Sequence, residues 1–104
     1  MSPEDQQHIL LDLNNPVFQR QLFSLSKQDQ RSVLNTLRKL TRMSWHQVYT
    51  DKGIKWETIL SKKGPDGNKI YSFRLGKGFR GIAFRDGAWM RLLSLHPDHD
   101  SAYR

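Results

Sequence analysis

A change of hydrophobic period near the middle of the chain constrains the fold more than any other feature. Up to about Met43 the apolar residues recur at helical spacing. From Lys69 onward they fall into three strand-like stretches, residues 69–75, 79–85 and 88–95. Gly76-Lys77-Gly78 separates the first two. Asp86-Gly87, among the strongest two-residue hairpin signals, separates the last two. The pattern predicts an antiparallel meander of three strands, one face of which needs an apolar cover that the helices of the first half can supply. The expected fold class is α+β. A small antiparallel sheet, the C-terminal meander plus an N-terminal strand within residues 8–13, packs against two or three N-terminal helices.

The helix boundaries are written in capping residues. Asn15 stands as an N-cap with Pro16 at the first helical position, and Phe18, Leu22 and Leu25 then share one face. Ser26 is a second cap, with Asp29 placed for the positive end of a helix. Val33, Leu34, Leu37 and Leu40 give that helix, residues 27 to about 43, its apolar stripe. Ser44 and Gln47 form a capping-box pattern that opens a short third helix ending near residues 52–53. Residues 54–60 are ambiguous and read as extended at most. Gly64-Pro65-Asp66-Gly67-Asn68 is a loop.

At 104 residues the chain is expected to be a single domain, residues 1–104, with one modest core. The absence of cysteine excludes disulfides and thiolate-bound zinc or iron–sulfur clusters. No apolar run approaches the roughly 20 residues of a membrane helix, and the first residues lack the order of a secretory signal. The expectation is a cytoplasmic protein with no membrane partner.

Charge narrows the choice of partner. The formal net charge is +7, and between Lys62 and Arg85 seven basic residues stand against the single Asp66: Lys62, Lys63, Lys69, Arg74, Lys77, Arg80 and Arg85. Such a segment suggests a polyanion or an acidic protein as partner, and its basic residues alternate with aromatic ones. A cationic face that serves only solubility is the alternative. The stretch Leu75-Gly76-Lys77-Gly78-Phe79-Arg80-Gly81 lacks the spacing of a nucleotide loop and reads as a hairpin turn with a cation at its tip. Arg74 and Arg80 flank that turn. They either bracket one phosphate, which guanidinium groups match in bidentate fashion, or face solvent beside Asp86 or Glu57. Tyr71, Phe73, Phe79, Phe84 and Trp89 belong mostly to the core, with room for one to reach a base.

The C-terminal run gathers His96, Asp98, His99, Asp100 and Tyr103 within a few residues. Imidazoles titrate near neutrality and serve as general acid or base, while Asp98 and Asp100 supply supporting carboxylates. The same residue types could ligate a metal, but their spacing matches no metal motif, and no metal or other cofactor is expected. An ordinary polar tail is the third reading. His8 and His46 have no comparable neighbourhood.

Taken in order, Lys69-Ile70-Tyr71-Ser72-Phe73-Arg74-Leu75, then Gly78-Phe79-Arg80-Gly81-Ile82-Ala83-Phe84-Arg85, then Leu92-Leu93-Ser94-Leu95-His96 through Tyr103 resembles the RelE/ParE toxin superfamily. The resemblance extends upstream, where Ile9 to Leu13 and Phe18, Leu22 and Leu25 look like the family's first strand and helix. It implies a small toxin of a type II toxin–antitoxin system whose basic sheet face holds the active site. RelE-like members cut messenger RNA on the ribosome without metal: the ribose 2′-OH attacks the adjacent phosphate and the 5′-oxygen leaves. By this resemblance Arg80 matches the phosphate-stabilising arginine, Tyr103 the C-terminal tyrosine, and His99 or His96 an acid/base histidine. Arg74 corresponds to a variable basic strand position. Ile70 and Ser72 stand where RelE carries lysines, and the arginine usual before the final tyrosine is absent, which favours a histidine-centred mechanism. His99 is the first choice as acid or base and His96 the substitute. Lys62, Lys63, Lys69, Lys77 and Arg85 would attract RNA. The implied partners are messenger RNA on the ribosome and an acidic antitoxin. Two alternatives stay open, a ParE-like inhibitor of DNA gyrase and a non-catalytic RNA-binding module.

Overall fold

Asn15 accepts hydrogen bonds from the backbone N–H groups of Val17 (2.8 Å) and Phe18 (3.3 Å), and Pro16 follows it at a position that needs no donor. This cap opens helix α1, Pro16–Ser24, in the computed structural model, which describes residues 6–97. Ser26 caps α2, Lys27–Leu40, by accepting from the N–H of Asp29. Ser44 and Gln47 close a reciprocal capping box over α3, Trp45–Thr50.

Strand β1, Leu10–Asp12, precedes the helices, and four strands follow them: β2 Glu57–Lys63, β3 Lys69–Gly76, β4 Phe79–Asp86 and β5 Trp89–His96. They form one sheet in the order β1-β5-β4-β3-β2. The meander is as expected, with Gly87 at φ 60° in the first central position of the β4–β5 turn.

Three expectations need correction. The sheet has five strands, because residues 57–63 pair with β3 as an edge strand. Its sequence hid it: only Ile59 is buried while Leu60 is 92 % exposed, so no alternation accumulates, and lysines are well tolerated at an edge. The sheet is also not wholly antiparallel, since β1 runs parallel to β5 with Leu11 opposite Met90. Finally, Val33, Leu37 and Leu40 are buried but Leu34, included in the α2 stripe, is exposed.

The helices cover one sheet face. The main core joins Phe18, Val33, Leu37, Leu40, Trp45 and Val48 to Phe73, Phe79, Ala83, Met90, Leu92 and Leu95. Residues one step out of phase along the strands point the other way. There Ile59, Ile70, Ile82 and Phe84 make a second, smaller cluster with Leu93 against it. The end of β2 bends toward this second face: a Cβ at Gly64 would sit 2.5 Å from Ile70 Cγ2 and 4.0 Å from Leu93 Cδ1.

Gly81 is fixed by packing of the same kind on the helix-covered side. A Cβ there would stand 2.5 Å from Cζ and 2.6 Å from Cε1 of the fully buried Phe73, which lies directly opposite on β3. Gly81→Ala is expected to destabilise the fold by about 1–3 kcal/mol. An unchanged urea midpoint would contradict this packing.

Candidate functional site

Strand register builds the site. Arg74 on β3 lies directly opposite Arg80 on β4, and Arg80 lies directly opposite His96 on β5. Directly opposed residues project to the same face, so the three form one row across the sheet, spanning about 10 Å over two strand spacings. Arg74 and Arg80 are in phase with Ile70 and Ile82, which places the row on the face away from the helices. The two arginines thus share one face of adjacent strands. Of the alternative partners, Asp86 instead accepts from Arg91 Nε on its Oδ2 at 3.0 Å.

Arg80 is anchored by its own turn. Nη1 donates to the carbonyls of Gly76 (3.3 Å) and Phe79 (3.2 Å). Among the described residues these contacts use one nitrogen, leaving Nε and Nη2 to approach an anion. Arg74 is exposed, and Lys77 is exposed in the β3–β4 turn.

His96 belongs to the sheet and not to the tail, since β5 runs one residue beyond the expected end at Leu95. The ring is half-buried, with Nε2 2.8 Å from the hydroxyl of Ser94. Burial, and after it the positive charge of Lys62, holds this imidazole below the usual histidine value of 6.5. The shift favours the neutral form of the ring. Folding releases its proton between the lowered value and 6.5, so its contribution to stability is lost on acidification through that window. Lys62→Gln is expected to move the His96 midpoint upward, still short of 6.5 because burial remains. A proton NMR titration of the ring checks this, and an unmoved midpoint would contradict the influence of Lys62.

Lys62 also lines a hollow of about 170 Å³ at the far end of β2 and β3, together with Ile59, Leu60, Lys63 and Lys69. Lys63 and Lys69 are directly opposed across the ladder, a pairing of like charges that is unfavourable without an anion nearby. Lys69 is in phase with Phe73, so this pair projects to the helix side of the sheet and not to the face of Arg74, Arg80 and His96, whereas the charge of Lys62 does reach His96.

Arg85 is not brought to this face. Its guanidinium lies 4.5 Å from the centroid of the Trp45 ring, with Nη1 donating to Tyr49 Oη and Nε to the carbonyl of Gly87. The reason is phase: Arg85 follows Phe84 and so points to the helix-covered side, where it packs on α3. Of the five aromatic residues named from sequence, Phe73, Phe79 and Phe84 are buried. Tyr71 stacks on Trp56 at 4.5 Å, and Trp89 is partly exposed beside Arg91. Asp98, His99, Asp100 and Tyr103 lie outside the described residues.

Two features were missed in the sequence. Ser94 carries a signal, its i, i+2 relation to His96 within a strand. Arg91, which binds Asp12 at 2.6 Å and Asp86 at 3.0 Å, carries none, because its partners come from β1 and β4. Among the described residues no three His, Asp or Glu side chains gather as a metal ion would require, and no helix is long and apolar enough to cross a membrane.

No protein-family model and no curated protein matches the sequence. A solved structure does match in fold, the crystal structure of an archaeal RelE–RelB complex from Pyrococcus horikoshii OT3. The TM-score is 0.62 at 19 % identity, over 88 % of this chain and 96 % of that one. The fold of this chain is RelE-like.

Proposed function

We propose that this chain is the toxin of a toxin–antitoxin pair and that it cleaves messenger RNA on the ribosome by general acid–base catalysis, without a metal ion. The observation that carries the reading is the row of Arg74, Arg80 and His96, two guanidinium groups and an imidazole on the sheet face away from the helices. In the proposed reaction the ribose 2′-oxygen gives its proton to a base and bonds to phosphorus. The bond from phosphorus to the 5′-oxygen breaks, and that oxygen takes a proton from an acid. The products are a 2′,3′-cyclic phosphate and a 5′-hydroxyl. Arg80 and Arg74 stabilise the charge that grows on the phosphoryl oxygens, and His96 serves as base or acid. His99, first choice from sequence, and Tyr103 are proposed for the complementary proton transfer and for positioning. Lys62, Lys63, Lys69 and Lys77 draw in the RNA backbone. An acidic antitoxin is the proposed protein partner. The fold neighbour, crystallised as a RelE–RelB complex, supports that choice.

The test is incubation of the purified protein with ribosomes carrying a defined message, followed by mapping of new ends. Cleavage within the message leaving cyclic phosphate ends is expected. An intact message together with inhibited supercoiling by gyrase would contradict the nuclease reading.

A further inference from the structure

We infer that the end of β2 is an arm folded over the sheet face away from the helices, seated by Gly64, and that it carries Lys62 to the row of Arg74, Arg80 and His96 as a further phosphate-binding residue. The inference deepens the nuclease reading and rests on it for the ligand. Packing places the arm. A Cβ on Gly64 would meet Ile70 Cγ2 at 2.5 Å and Leu93 Cδ1 at 4.0 Å. Ile70 is on β3 and Leu93 on β5, with β4 between them, so Gly64 stands over the sheet and not beside it. The backbone of Gly64 is ordinary and extended, with φ −87°. Glycine is therefore needed there for the close approach and not for its conformation. Behind it the turn is tied: Gly64 N–H donates to the carbonyl of Asn68 at 2.8 Å, and Gly67 N–H to that of Gly64 at 3.2 Å.

Lys62 lies two residues before this seat. In a flat sheet of this order the backbones of β2 and β5 would stand about 14 Å apart, beyond the roughly 10 Å over which exposed charges act at moderate salt. The charge of Lys62 nevertheless acts on the His96 ring, as the folded-over arm requires. Among the described residues Arg80 faces that ring from β4 and Lys62 from β2, with Arg74 in the same row on β3. Lys63 is opposed to Lys69 and projects to the helix side, so Lys62 is the lysine of this group that serves the row. Its role there goes beyond long-range attraction. The two guanidinium groups offer a phosphate planar forks from the sheet, and the arm adds a compact ammonium charge from a separate element.

The experiment combines NMR titration of the His96 ring with binding of a short single-stranded RNA that is 2′-O-methylated throughout and so cannot be cut. Gly64→Ala, which lifts the arm off Ile70, should move the ring midpoint upward, in the same direction as Lys62→Gln. Adding Ile70→Ala, which makes room for the new methyl group, should bring it back. Lys62→Gln should bind the RNA about fivefold more weakly at ~0.1 M salt, with the salt slope of binding reduced by about 0.7, and Lys62→Arg should restore both. An unmoved midpoint in a folded Gly64→Ala protein would overturn the inference. So would undiminished RNA binding by Lys62→Gln, a measurement that does not depend on Gly64→Ala folding. Message cleaved by the wild type, with RNA held equally well by Lys62→Gln, would count against this inference alone. RNA held through Lys62 beside a message that stays intact would count against the proposed function alone.

Discussion

Arg80→Ala is expected to lower the rate of message cleavage by about 10²- to 10³-fold in kcat, the usual cost of losing one preorganised donor to a developing oxyanion. The argument begins with position. Arg80 is central in the row, with Arg74 on one side and His96 on the other. Its Nη1 is already tied to the carbonyls of Gly76 and Phe79, so little side-chain freedom remains to be lost when the phosphate charge develops. Arg80→Lys keeps the charge but loses the planar fork, and should recover part of the activity only. Both contacts to the turn are long, so the fold should survive either change, with a stability loss within ~1 kcal/mol. Full activity in a folded Arg80→Ala protein would remove the phosphate-binding role from this row.

The largest expected effect on stability comes from Trp45→Ala. This side chain is fully buried where α3 meets the sheet, and its indole N–H donates to the carbonyl of Ala88 in the β4–β5 turn at 3.0 Å. Trp56 meets its ring edge-on at 5.5 Å between centroids, and the Arg85 guanidinium covers it on another side. Truncation leaves a cavity, an unanswered carbonyl and a cation that has lost one of its two aromatic partners. Together these should cost about 3–5 kcal/mol. For a domain of this size the melting temperature should fall by upwards of ~12 °C. Trp45→Phe retains most of the apolar volume but not the donor, and should lie between the two. A drop of only a few degrees in Trp45→Ala would mean that α3 contributes little to the fold.

The sequence displayed local features and concealed long-range ones. Asn15, Ser26 and Ser44 act as caps because capping depends on residues within three positions of each other. The glycine turns of the meander were legible for the same reason. Strand β2 was not, since it sits at an edge with one buried residue and ends in lysines. The parallel pairing of β1 with β5 joins residues nearly eighty positions apart and leaves no local trace. At the site, the identity of Arg74, Arg80 and His96 was readable but their common row was not. Side-chain phase across strands depends on the bulges after Arg74 and after Ile82, which composition does not reveal. Arg85 shows the converse: a basic residue in a basic segment, yet one whose phase commits it to the buried side.

The central idea is that one RNA phosphate is held jointly by two arginines and one histidine on three neighbouring strands. The most direct measurement is an NMR titration of the protein with a short RNA bearing a 2′-O-methyl group at the cleavage position, following the Arg74 and Arg80 side-chain Nε–H signals and the His96 ring. All three should shift along one binding curve. Shifts confined to the helices, or a row that stays silent while RNA binds elsewhere, would contradict it.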